Sequence, residues 1–413
     1  MAGLEFFDAL EACDPAQRER DLLQRLPEHL AHAKARSPYY AELLAGIDPK
    51  TVTSREALAR LPLTRKSELS QLQRARLPFG GLNATPPSAL SRILMSPGPI
   101  YDPEGRRPDY WRAARTLFAA GFRAGDVVIN CFSYHLSPAG TMFETGLHHL
   151  GCCVIPGGVG QTEPQAHAVA DLQPDGYVGT PSFLKILLEK CDELGLASGS
   201  IRRAVVSGEA FMPAVREFMK GRGIECFQAY GTADLGLIAY ETPAREGLVT
   251  SESQVVEIVR PGTGDPVAPG EVGEVVVTPF NPDYPLVRLA TGDLSAVMPG
   301  TSPCGRTNVR IKGWLGRADQ TTKVRGLFVH PHQVAEVLRR HGLDRGRLVV
   351  ENEQGEDRMT LRVECAGERA AALRGSVEAS VRDVMKLRGE VQAVAPGALP
   401  NDGKVIEDLR KYA

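Results

Sequence analysis

Four short segments of this chain carry residues whose types and spacing could do chemistry. Gln228-Ala229-Tyr230-Gly231-Thr232-Ala233-Asp234-Leu235-Gly236 follows directly on a predicted strand and brings an aromatic ring, a hydroxyl and a carboxylate close together. Ala290-Thr291-Gly292-Asp293-Leu294 sets a carboxylate behind a glycine. Leu315-Gly316-Arg317-Ala318-Asp319-Gln320-Thr321-Thr322-Lys323-Val324-Arg325-Gly326 mixes a guanidinium, a carboxylate and further cations. Leu399-Pro400-Asn401-Asp402-Gly403-Lys404 presents an ammonium after a glycine. Taken singly, Tyr230 reads as a core aromatic at a strand end, Asp293 as a turn residue and Lys404 as a solvated charge near a chain end. Their order gives them weight together.

The elements that must position these segments can be read from periodicity. Residues 1–70 are helical in texture, with Leu22, Leu23, Leu26, Leu30 and Ala33 at helical spacing and Ser37-Pro38 ending the run. Leu77 to Asp109 is rich in Pro and Gly and reads as a long loop. From about 110 to 240, short apolar strands (Val127–Phe132, Cys152–Ile155, Ile201–Val206, Ile224–Phe227) alternate with helices, which predicts a mainly parallel α/β core. Between 250 and 312, β-rich stretches separated by Pro/Gly turns predict an antiparallel or barrel-like subdomain. Residues 317–413 read as a β-α-β-β-α-β pattern, a small α+β domain with its boundary after Gly316. The fold class is therefore α/β, with a large multi-layer N-terminal domain over 1–316.

The three ordered internal segments resemble the nucleotide-binding and hinge motifs of the adenylate-forming (AMP-binding) superfamily. Ser302-Pro303-Cys304-Gly305-Arg306-Thr307 and Phe328-Val329-His330-Pro331-His332-Gln333-Val334 are similar to the phenylacetate–CoA ligase branch. The resemblance implies ATP-dependent activation of a carboxylic acid, aromatic or related, to acyl-AMP, followed by transfer to CoA. It implies Tyr230 as the adenine platform, with Gly231 and Thr232 beside it and the backbone at Gly208-Glu209 passing adenine. Asp293 and Arg317 would hold the ribose, and Lys404 would serve adenylation. Asp319 falls at the hinge, and Lys323, Arg325 and Gly326 would line the CoA approach. Tyr134, His135 and Gly236 would line the acid pocket. Asp234 stands where the family has a Mg²⁺-holding glutamate. ATP or AMP, Mg²⁺ and CoA are the implied cofactors, and a homodimer is suggested by the resemblance alone.

Two departures qualify that picture. Where relatives carry a Ser/Thr/Gly-rich phosphate loop ending in lysine, this chain reads Met95-Ser96-Pro97-Gly98-Pro99-Ile100-Tyr101-Asp102. Two prolines remove donors, the lysine is missing, and Asp102 brings the opposite charge. Of a Cys-x-Cys zinc motif only Cys304 remains, so no zinc is expected. A nucleotide- or acyl-CoA-binding homologue without ATP chemistry is the competing reading, and a carrier-protein or amine acceptor a third. A formal charge of −2 over 413 residues gives no field for nucleic acid. No run of apolar residues is long enough to span a membrane. The eight cysteines lack framework spacing and read as reduced thiols in a cytoplasmic protein.

Overall fold

The computed structural model describes residues 5–324, 327–353, 356–366, 368–400 and 404–410. The chain divides into two compact units, one of residues 1–291 and 295–314, the other of 292–294 and 315–413. The Thr-Gly-Asp segment is thus split, with Thr291 in the larger unit and Asp293 in the smaller.

A nine-stranded sheet organises the larger unit. Its order is Val297–Met298, Arg310–Ile311, Leu248–Thr250, Gly236–Glu241, Glu225–Thr232, Arg203–Val206, Gly176–Gly179, Val127–Asn130, Cys153–Ile155. The last five strands run parallel, and the chain reverses into antiparallel pairing between Glu225–Thr232 and Gly236–Glu241. Gly176–Gly179 is buried at every position, as expected of a strand covered on both faces. Thr180 starts the helix Pro181–Glu193 by accepting from the Phe183 N–H, with proline at the first turn. The periodicity gave no sign of the helix Thr162–Leu172 or of strand Gly176–Gly179.

Two expectations change. The β-rich stretch from 250 to 312 is not a closed barrel. Gln254–Val259, Gly273–Pro279 and Leu289–Ser295 form an open sheet completed by Thr64–Arg65 from the helical lead-in, while 297–311 joins the large sheet. The loop expected between 77 and 109 contains a hairpin, Arg92–Ser96 with Ile100–Glu104.

Thr64–Arg65 pairs in parallel with Leu289–Ala290, so the lead-in is built into the strand that carries the Thr-Gly-Asp segment. Arg288 secures the junction. Its buried guanidinium reaches Glu257 at 3.0 Å and donates to the carbonyls of Ala59, Leu61 and Gly264. Such a charge is tolerable in the core because every arm of the fork finds an acceptor.

The smaller unit has the strand order Glu390–Val394, Glu356–Glu364, Gly346–Glu353, Ile406–Asp408, with helices Pro331–Arg340 and Glu368–Met385. Val334, Val337, Val377, Val381 and Met385 pack with Leu348, Val350 and Leu361 in one core.

Candidate active site

Strand Glu225–Thr232 ends at a tight reversal. A Cβ on Gly231 would stand 2.6 Å from the Gly236 carbonyl oxygen, so only glycine lets the two strands approach there. Thr232 Oγ1 accepts from the Leu235 N–H at 3.3 Å and closes the turn. Tyr230, 8 % exposed, packs in the apolar cluster with Leu235 and Ile238. Its hydroxyl donates to Thr291 Oγ1 at 3.4 Å. Segments that are 61 residues apart in sequence therefore meet within the larger unit.

Gly236 has φ +73°, and a Cβ there would lie 2.7 Å from the Trp111 carbonyl oxygen, which already accepts from Leu237 N–H at 3.0 Å. Arg112, a residue the motifs do not mark, donates to the Leu235 carbonyl and fixes the same turn from below. Gly236→Ala combines left-handed strain with a backbone clash and should cost about 2–3 kcal/mol. Scanning calorimetry should show a clear drop in Tm; an unchanged Tm would mean the turn relaxes away from Trp111.

Asp234 lies in this turn, but its carboxylate is closed. Its side chain is 0 % exposed and Oδ2 accepts from Lys66 Nζ at 2.6 Å. A Mg²⁺ ion needs an oxygen open to its shell and its waters, so a metal on Asp234 does not fit this arrangement. The expectation for Asp102 changes too. It lies opposite Leu94 in the hairpin and is fully buried, instead of projecting an unwanted charge from a loop. Burial first, then the neighbouring Asp234 carboxylate, pushes Asp102 well above the ordinary carboxylate range, with Lys66 opposing. Lys66 is the functional candidate that sequence reasoning missed.

On the parallel edge, Gly208 (φ +85°) and Glu209 follow strand Arg203–Val206 and are exposed. Glu209 Oε1 accepts from the Ser182 N–H at 2.7 Å, in the first turn of the preceding helix Pro181–Glu193. Tyr134 is half-buried, yet its hydroxyl is already engaged, donating to Glu144 at 2.7 Å and accepting from Asn130 at 2.8 Å. Burial and Glu144 raise its pKa. His135 is exposed.

Within the smaller unit, Arg317 Nη1 stands 3.3 Å from Asp293 Oδ1 and its Nε 3.4 Å from Asp319. Residues 293 and 317 also form an isolated antiparallel bridge. A Cβ on Gly292 would meet the Arg317 guanidinium at 2.7 Å, so the glycine gives the arginine its place. Lys404 is exposed, and the next residue, Val405, donates its N–H to Gln320 Oε1 at 2.7 Å. Lys323 pairs with Phe328 through the backbone. Arg325 and Gly326 lie outside the described residues. Cys304 sits among Ser302, Thr242 and Arg306. Among the described residues no helix is long and apolar enough to cross a membrane.

Residues 110–279 match the family model described as AMP-binding enzyme. A phenylacetate–coenzyme A ligase of Thermus thermophilus is 32 % identical over a 440-residue alignment spanning 96 % of this chain and 98 % of that protein. The ligase of the same name from Escherichia coli is 32 % identical over 352 residues, 80 % of this chain and 78 % of its own. Among solved structures, 2-hydroxyisobutyryl-CoA ligase in an open conformation with 2-HIB-AMP and CoA superposes with a TM-score of 0.83 at 24 % identity, covering 98 % of this chain and 96 % of that one.

Proposed function

This chain belongs to the phenylacetate–coenzyme A ligase branch of the adenylate-forming enzymes, and we propose that it joins an aromatic or related carboxylic acid to CoA through an acyl-adenylate. A carboxylate oxygen of the acid attacks the α-phosphorus of ATP, the bond to the β-phosphate oxygen breaks, and pyrophosphate leaves. The CoA sulfur then attacks the acyl carbon, the bond to the AMP phosphate oxygen breaks, and AMP departs with the thioester formed.

The observation that carries this reading is the contact of Tyr230 with Thr291, which joins the two segments on which the family resemblance rests. Tyr230, flanked by Gly231, Thr232 and the Gly208-Glu209 backbone, is assigned to adenine. Asp293 and Arg317, already paired, are assigned to the ribose hydroxyls. Lys404 is assigned to the reacting phosphate, Asp319 to the hinge, and Lys323, Arg325 and Gly326 to the CoA side. Tyr134 offers the acid its ring rather than its hydroxyl, because that hydroxyl is occupied; Gly236 and His135 complete this assignment. The eight free cysteines support a reducing, cytoplasmic setting.

Acid-dependent exchange of labelled pyrophosphate into ATP, run with a panel of aryl, arylacetic and short hydroxy acids, tests the proposal. Exchange is expected with at least one aromatic acid. AMP or acyl-CoA binding without exchange for any acid would turn the assignment to a binding protein.

A further inference from the structure

We propose that Lys66 is the cation that contacts the anionic oxygens at the reacting centre, and that Asp234 and Asp102 are the positioning residues that hold it there. The inference rests on the adenylation reading above and deepens it. Negative charge gathers on the α-phosphate oxygens as the acid attacks, and adenylation is accelerated by a cation fixed in advance where that charge develops. The segment standing where relatives carry a lysine-bearing phosphate loop, residues 95–102, contains no lysine or arginine. Lys66 stands beside it.

Lys66 opens the helix Lys66–Ala75, and this helix is sewn to the hairpin. Ser70 Oγ donates to the Gly98 carbonyl at 3.2 Å, Gln73 Nε2 donates to the Tyr101 carbonyl at 2.8 Å, and Gln73 Oε1 accepts from the Tyr101 N–H at 2.7 Å. On its other side, Thr64–Arg65 pairs with Leu289–Ala290, one residue before the Thr291 that meets Tyr230. The lysine is therefore fastened both to the hairpin and to the strand carrying the second motif.

Its charge is arranged for contact. The pair Lys66–Asp234 is 2.6 Å long, and its two ends differ: the aspartate side chain is 0 % exposed, while the lysine keeps 21 % of its side chain in the open. Behind it lies more acceptor capacity than a lone structural ion pair needs. Asp102 faces the same spot from the hairpin, and Asp234 Oδ1 is buried without a hydrogen-bond partner among the described residues. Buried polar groups left unsatisfied are costly. The buried Asp234 carboxylate holds the ammonium from behind while its open side stays accessible to an incoming anion.

The anion is either the carboxylate of the acid or a phosphate of the nucleotide, and steady-state exchange separates them. Lys66→Met should lower acid-dependent pyrophosphate exchange about 100-fold, the scale of removing one preorganised electrostatic contact, and Lys66→Arg should restore part of it. A rise confined to the KM of the acid assigns the contact to its carboxylate. A fall in kcat, or a rise in the KM of ATP, assigns it to phosphate.

Because Lys66→Met strands a buried carboxylate, the double variant Lys66→Met/Asp234→Asn decides between contact and mere neutralisation. It should regain the thermal stability lost by Lys66→Met yet remain about 100-fold down in exchange. If exchange returns to the level of Asp234→Asn alone, the lysine serves only to neutralise Asp234 and the inference fails. A wild-type chain that exchanges nothing with any acid removes the adenylation reading itself, and this inference with it.

Discussion

Lys404→Ala is expected to cut acid-dependent pyrophosphate exchange by about 100- to 1,000-fold, the loss associated with one charge-stabilising donor, while thioester formation from supplied acyl-AMP stays within about threefold of wild type. The local structure gives the lysine a defined post despite its exposure. It stands two residues before strand Ile406–Asp408, which pairs in parallel with Gly346–Glu353. Val405 N–H is held by Gln320, and Asp408 accepts from Thr322 Oγ1 at 2.5 Å. The strand is thus tied to the turn that carries Asp319, the assigned hinge.

Adenylation breaks a bond at phosphorus, and the oxygens around it take up charge that an ammonium can stabilise. The second half-reaction breaks the acyl–oxygen bond and leaves phosphorus untouched. A lysine that acts at phosphorus must therefore separate the two steps. Equal losses in both would show that Lys404 only supports the fold or general binding, and would remove its assignment. Lys404→Arg keeps the charge in a different geometry and should recover only part of the exchange.

The site was readable from sequence where its residues act through local geometry, and opaque where they act across the chain. Tyr230, Gly231 and Thr232 stand at a strand end whose reversal needs glycine, and that signature is local. Asp293 and Arg317 each follow a glycine in short segments of recognisable order. Lys66 has no such mark, since Lys66-Ser67-Glu68 looks like the solvated start of a helix. Its meaning comes from Asp234, 168 residues away.

Asp102 shows a different obstacle. Leu94, Ser96, Ile100 and Asp102 are buried along the hairpin while Tyr101 is exposed. Pro97, Pro99 and Pro103 hide that alternation, because proline argues against a strand. The missed strand Gly176–Gly179 has a similar cause: its glycines carry no β signal, yet packing demands them, since a Cβ on Gly176 would stand 2.4 Å from the Phe122 ring. The barrel expected near 250–312 failed because sheet closure depends on which strands pair. One partner, Thr64–Arg65, lies far upstream.

Asp293→Asn should weaken AMP binding about 100- to 1,000-fold, the combined scale of two hydrogen bonds to a charged acceptor. One Asp293 carboxylate oxygen faces Arg317 at 3.3 Å, and the pair is only partly buried, with side-chain exposures of 12 % and 38 %. Pairs of this kind add little to stability, and Arg317 keeps Asp319 within 3.4 Å when Asp293 is neutralised. The variant should therefore melt close to wild type, so that weakened binding reports on the ligand and not on the fold.

Asparagine keeps the shape but replaces one acceptor with a donor, which cannot receive the second proton of a diol. Calorimetry with AMP and with 2′,3′-dideoxy-AMP closes the cycle. Removing both hydroxyls should weaken binding to wild type by nearly the same factor as the mutation, and should weaken binding to Asp293→Asn hardly further. If the two losses simply multiply, Asp293 acts elsewhere on the nucleotide and the ribose assignment falls, even though the Asp293–Arg317 pair stands as found.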